Sequence, residues 1–395
     1  MTDRPEDSVF AYTERWLPPR RFLCLSVKAE RADGQREATR SLYHALGPEV
    51  AARVARANRI EPIVAHAVAE AGITGSPWDE WHADWAQRIE GMMEFLDEIA
   101  ERAARLGIPV VVLKNGAIAR TLHPCRACVP MGDLDLLVRR SDFARMHDLL
   151  CGMGFSVAAG GARASGLDAG LRAGGTDYAL TQNGERFAVD LQWRAVSGRW
   201  LRADQEPDTE ELISCSVPIP GGAVRMLAPV DNLIQVALHT AKHTYCRAPG
   251  FRLHLDVDRI VHWSLIDWDA VIATARRLGV ATAVFLSLSI PRGLFGTPVP
   301  DRVLEDLVPG GARRWLLCGW LQRVSVFDPD RPKFSRLGQL VFQATLNDRG
   351  PTGAWRALFP PAGEMRDRHG AGPGAGGLLI SYGRRFANVL LQYQR

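Results

Sequence analysis

Two aspartates one residue apart stand in the run Met131-Gly132-Asp133-Leu134-Asp135-Leu136-Leu137-Val138. Acidic residues alternating with large aliphatics form the pattern of a strand with one buried face. Residues i and i+2 project from the same face, so Asp133 and Asp135 converge while Leu134 and Leu136 enter a core. Paired carboxylates raise each other's pKa unless a cation sits between them. Mg2+ suits such a pair, because it takes a few carboxylates and completes its shell with water and phosphate oxygens. A third carboxylate, Asp190, lies on a later strand, where Arg186, Ala188 and Gln192 share its face and Phe187, Val189 and Leu191 take the other. Carboxylates on neighbouring strands can hold two ions ~3.5–4 Å apart, which steady the attacking and leaving oxygens of a displacement. Lys114-Asn115-Gly116 falls where a strand passes into a helix. Free N–H groups and the helix dipole favour a phosphate there, Gly116 permits close backbone approach, and Lys114 adds a charge.

The elements that would position these groups are visible as changes of hydrophobic period. Residues 1–37 read as an irregular segment broken at Pro18-Pro19. Residues 38–106 read as helical, ending in an amphipathic helix from Pro77 to Leu106 that Gly107 terminates. Ile108 to Leu113 is a continuous apolar run and reads as a buried strand. A short helix (Ala117–Leu122), the Asp133–Val138 strand and a helix over Asp142–Met153 follow. The Gly/Ala-rich stretch Ala158–Gly175 reads as a mobile loop. Thr176–Gln182 and Glu185–Val196 flank Asn183-Gly184, the favoured pair for a type I′ hairpin. Residues 228–348 are helical again, with expected helices Asp231–Tyr245, Phe251–Trp263, Asp267–Leu278, Ala281–Leu288, Trp315–Val324 and Leu337–Leu346. The tail, 349–395, is Pro/Gly-rich and closes with a short helix at Arg384–Tyr393. The fold class is therefore α+β. A small mixed-sheet catalytic domain (107–227) lies between helical regions, with the site expected in the cleft beside the C-terminal helices.

The chain has 395 residues, 47% hydrophobic and 23% charged, with a net charge of +4. That balance is of an ordinary globular protein and does not argue for a dedicated nucleic-acid binder. No apolar run reaches the ~20 residues of a membrane span. The start, MTDRPEDSVF, lacks the apolar stretch of a leader, and seven scattered cysteines suggest reduced thiols, so the expected location is the cytoplasm.

Other groups have blander readings. Cys125-x-x-Cys128 is half of a zinc site at best and, with no second CxxC, reads as reduced thiols. His239 and His243 share a helix face, but HTAKH lacks the Glu of the metalloprotease motif, so a structural role is favoured over zinc. Asp256 and Asp258 would diverge on a helix, leaving Asp256 to orient a neighbour. Arg247 and Arg252 bracket Pro249-Gly250 and read by default as surface. Trp81, Trp85, Trp263 and Trp268 read as core. Lys242 is equally a nucleotide contact or a solvated lysine.

The block Leu113-Lys114-Asn115-Gly116-Ala117-Ile118-Ala119 with Pro130 to Val138 resembles the uncharacterised bacterial nucleotidyltransferase family, a branch of the DNA-polymerase-β-like superfamily. Gly107-Ile108-Pro109, Val189-Asp190-Leu191-Gln192-Trp193-Arg194, His239-Thr240-Ala241-Lys242-His243 and Leu253–Ile260 extend the resemblance over roughly residues 40 to 290. Asn115 stands between a Lys and a Gly that the family usually joins, Val129 where an Arg is frequent, and Gln192 where a His is common. The resemblance implies transfer of a nucleoside monophosphate from an NTP, with ATP the expected donor, to an unidentified acceptor (small molecule, peptide or protein), releasing pyrophosphate. Asp133 and Asp135 would bind two Mg2+ ions, and Asp190 would ligate the catalytic ion and help deprotonate the acceptor. Lys114, Asn115, Gly116, Gly132 and Lys242 would contact the nucleotide. The alternative is an inert nucleotide-sensing or partner-binding protein that keeps the fold. Neither base preference nor oligomeric state is written in these motifs.

Overall fold

The computed structural model describes residues 17–28, 31–123, 125–158, 166–196, 201, 205–244, 250–321, 325–327, 336–350, 359, 362–369 and 374–391. The chain opens with helices α1 (Pro18–Ser26), α2 (Asp33–Leu46), α3 (Pro48–Ala57), α4 (Glu61–Glu70) and α5 (Trp78–Arg105). Pro18-Pro19, which reads as a breaker, instead starts α1. Proline is tolerated in a first turn, where its missing N–H would have no helical partner. Helix α5 buries Trp78, Ile89, Met92, Met93, Leu96, Ile99 and Ala103, and Gly107 (φ 71°) turns the chain at its end.

The middle of the chain builds a seven-stranded mixed sheet. Its elements are β1 (Val111–Val112), α6 (Lys114–Thr121), a 3-10 turn (Arg126–Cys128), β2 (Leu134–Leu137), α7 (Phe143–Gly152), β3 (Ser156–Val157), α8 (Leu167–Ala173), β4 (Gly175–Gln182), β5 (Glu185–Gln192), α9 (Thr209–Cys215), β6 (Val217–Pro218) and β7 (Arg225–Met226). The strand order is β3-β4-β5-β2-β1-β7-β6. Strand β1 is shorter than the apolar run Ile108–Leu113 suggests, and Lys114, with a positive φ of 52°, starts α6 soon after it. The Ala158–Gly175 stretch carries α8, while 159–165 lie outside the described residues. Asn183 and Gly184 have φ of 54° and 81°, the left-handed pair that a type I′ turn requires.

Helices α10 (Pro229–His243), α11 (Gly250–Trp263), α12 (Trp268–Leu278), α13 (Ala281–Phe295), α14 (Asp301–Leu307), α15 (Gly311–Leu321) and α16 (Arg336–Thr345) follow, then α17 (Ala362–His369) and α18 (Ala375–Leu391). Helix α13 runs past Leu288 to Phe295 through Pro291 and is buried almost all round. Asp267 caps α12, its Oδ1 accepting from the N–H groups of Asp269 and Ala270. Arg247 and Tyr245 lie outside the described residues, as do parts of the tail.

One hydrophobic cluster joins α1–α5, one sheet face (Val112, Leu134, Leu136, Val189, Leu191) and the C-terminal helices as far as Leu346. The opposite sheet face packs separately, through Val111, Leu113, Leu137, Ala195, Leu212, Ile213 and Leu227. Asp135 and Asp190 stand on this second face by strand alternation. Among the described residues no helix is long and apolar enough to cross a membrane.

Candidate active site

Strands β2 and β5 are parallel neighbours, and Asp135 is the direct register partner of Asp190. Paired strands lie ~4.8 Å apart, so the two carboxylates rise side by side. Both residues are 8% exposed. Asp133 sits one residue ahead of β2 and is exposed, which makes it the outer member of the trio. Buried carboxylates so arranged need cationic or hydrogen-bonding company.

That company is local. Lys114 Nζ reaches Asp135 Oδ1 at 2.5 Å, with both side chains largely buried. Burial alone would lower the lysine's pKa; Asp135, Asp190 and Asp133 together hold it above the ordinary lysine value. Gln192 Nε2 donates to the same Asp135 oxygen at 3.1 Å. Lys114, expected to contact a triphosphate, pairs with Asp135 in this structure. Its positive φ is sparsely populated for a side-chain-bearing residue, a local strain of the kind that collects at functional sites.

A second layer comes from α11. The Asn115 amide lies against Asp256; in the orientation its surroundings favour, with the nitrogen toward the carboxylate, it donates to both oxygens, at 2.9 and 3.0 Å. Burial pushes the Asp256 carboxyl up to about 6, against the pull of Arg259, Arg252 and Lys114. Arg259 Nη2 donates to the Cys128 carbonyl at 2.7 Å. Burial lowers the pKa of Arg252 and Arg259, and Asp256 counters it for both. Arg252, read from sequence as surface, is thus part of the charged cluster behind the site. Asp258 diverges as expected, accepting from Thr297 Oγ1 at 2.5 Å and meeting His262 Nδ1 at 3.2 Å.

The glycines divide. A Cβ on Gly116 would come within 2.5 Å of Val112 Cγ2, so its smallness lets α6 lie close against β1. The space beside Gly132, next to Asp133, is open. Lys242 is half-buried in the last turn of α10, where the His239 and His243 rings meet edge-on at 4.8 Å. Val129 is fully buried in the core. Sequence reasoning missed Gln192 and Arg259 as site groups. Gln192 was legible, since it shares the face of Asp190; Arg259 was not, because only tertiary packing brings α11 to the site.

A mixed sheet that presents Asp-x-Asp beside an in-register Asp, with a strand-to-helix turn at its edge, defines a nucleotidyltransferase-type α+β core. The chain belongs to the family described as uncharacterised nucleotidyltransferase, whose model matches residues 44–296, well over half its length. Neither the curated proteins nor the solved structures yield a match.

Proposed function

We propose that the protein transfers a nucleoside monophosphate from an NTP, ATP being the expected donor, to an acceptor hydroxyl or phosphate. The acceptor oxygen bonds to the α-phosphorus, the bond from that phosphorus to the bridging oxygen breaks, and pyrophosphate leaves. The observation that carries this reading is the register pair Asp135 and Asp190, buried side by side with a cation held against them.

The donor set fits Mg2+: three carboxylates, one exposed and two nearly buried, already gather positive charge at Lys114. Asp133, Asp135 and Asp190 would hold the ions, and Mg2+ when bound supplies charge neutralisation for the phosphates and the entering oxygen. Lys114 sets a positive charge against Asp135 in the resting protein and would follow a triphosphate into the site. Gln192 orients Asp135 by its hydrogen bond. Asp190, on the strand beside Asp135, would take the acceptor's proton. Gly132 offers open backbone at the lip, and Lys242 is assigned to the nucleotide side as the basic group of α10. Catalysis by such a site is chiefly positioning and electrostatics.

Calorimetry with ATP, GTP, CTP and UTP, with and without Mg2+, tests the reading on wild type and Asp135→Ala. Binding that requires both Mg2+ and Asp135 supports it and names the donor. Absence of binding of every NTP supports the inert scaffold instead. Mass spectrometry of candidate acceptors then looks for the gain of one nucleoside monophosphate.

A further inference from the structure

The structure brings together four side chains that the transfer chemistry leaves unused. His66 on α4, His82 on α5, and Cys125 and Cys128 at the 3-10 turn place one ligand atom each within 4.8 Å of one another. Cys125 and Cys128 Sγ are 3.0 Å apart, and His82 Nε2 lies 3.3 Å from Cys125 Sγ. The His66 and His82 rings stack with centroids 5.8 Å apart. We propose that these four residues form a structural zinc site.

Zinc bond lengths of about 2.0–2.3 Å imply a tetrahedron with edges of about 3.3–3.8 Å. The Cys125–Cys128 and His82–Cys125 separations of 3.0 and 3.3 Å lie close to that figure, and the remaining ones stay within 4.8 Å. Two thiolates and two neutral imidazoles balance the ion's charge, which suits a site three-quarters of whose ligands are only half-buried and whose fourth, Cys128, is buried. Four protein ligands close the coordination sphere, the mark of a structural rather than a catalytic zinc. An outer layer is also present. His66 Nε2 lies 3.3 Å from Glu70 Oε1, and Arg31 holds the other Glu70 oxygen at 2.7 Å. A neutral imidazole that donates from Nε2 offers its lone pair at Nδ1, and such carboxylate–histidine pairs set the tautomer of metal ligands.

The site would fasten α4 and α5 to the segment that runs from Cys128 to Asp133. Its existence does not depend on the nucleotide reading, because zinc content is measured without turnover.

Metal analysis of the full chain purified without chelator is expected to give about one zinc per chain. Cys125→Ser/Cys128→Ser should lose it, and His82→Cys, which keeps four ligands, should retain it. Co2+ substituted into the wild type should show thiolate charge-transfer bands and the strong d–d bands of a tetrahedral ion, a readout that needs no variant to fold. Wild type that neither carries zinc nor takes up Zn2+ or Co2+ overturns the proposal. So does a double variant with undiminished zinc, or a native mass two hydrogens low from a Cys125–Cys128 disulfide.

Discussion

Replacing Lys114 with methionine isolates the electrostatics of the site. Methionine keeps the length of the stem and removes only the ammonium. Lys114 and Asp135 are 13% and 10% exposed as side chains, so the pair is nearly out of water. Removing one partner of a buried pair typically costs 3–5 kcal/mol, because the other charge stays behind. Gln192 still donates to Asp135, so the low end applies, about 3 kcal/mol. For a chain of 395 residues, with about 2.1 cal/mol/K of unfolding entropy per residue, that is a fall in Tm of about 4 °C. A divalent ion should replace the ammonium, so millimolar Mg2+ should restore most of the loss in Lys114→Met and stabilise wild type much less. The pH dependence has a definite sign. The folded pKa of Lys114 lies above its unfolded value, so its stabilisation is complete below the unfolded lysine pKa and disappears as pH rises through the folded one. The wild-type advantage over Lys114→Met should therefore shrink at strongly alkaline pH. Thermal unfolding with and without Mg2+, across pH, reads all three effects. Equal Tm values for the two proteins, with no Mg2+ response in the variant, would refute the reasoning.

Asp133→Ala should lower Mg2+-dependent nucleotide transfer by about 10²-fold or more. It should leave Tm nearly unchanged, because Asp133 is exposed; activity that survives removes it from the site. Gly116→Ala should cost about 1–3 kcal/mol by overpacking against Val112, measured by denaturant unfolding, and wild-type stability would show that α6 can shift. Asp256 titrates at about 6, above its unfolded value, so the native state binds its proton more tightly and stability falls as pH rises from about 4 to 6. Asp256→Asn should lack that slope, as a comparison of Tm against pH will show.

The carboxylates were legible because strand geometry is local. Period-2 alternation around Leu134 and Val189, and the Asn183-Gly184 turn, suffice to put Asp135 and Asp190 on defined faces. Their register is consistent with those faces but needed the sheet order to be known. The partner of Lys114 was hidden, since a positive φ at that residue, which no side-chain preference announces, accompanies the turn into α6. The histidines that join Cys125 and Cys128 were hidden for another reason. His82 is 43 residues from Cys125 and sits on a helix that packs against the turn, so no short spacing motif marks the set. Gly/Ala-rich composition concealed α8, whose Gly170 lies too close to Thr176 and Phe143 to carry a side chain.

The start of α6 shows why Asn115 is compatible with a working site. Successive helical residues point about 100° apart, so neighbours in sequence meet different surroundings. Lys114 turns to Asp135, Asn115 to Asp256 on α11, and Gly116 to Val112 on β1. Charge, cross-link and close packing thus occupy three consecutive positions without competing. The cross-link continues: Arg259, one helical turn after Asp256, bonds the Cys128 carbonyl, and the chain from Cys128 leads within a few residues to Asp133. Both ends of the carboxylate site, the Lys114 turn and the Asp133 segment, are therefore tied to the same face of α11. A displacement of that helix would move the two together and preserve their spacing, which is the geometric requirement of a site that works by positioning charge.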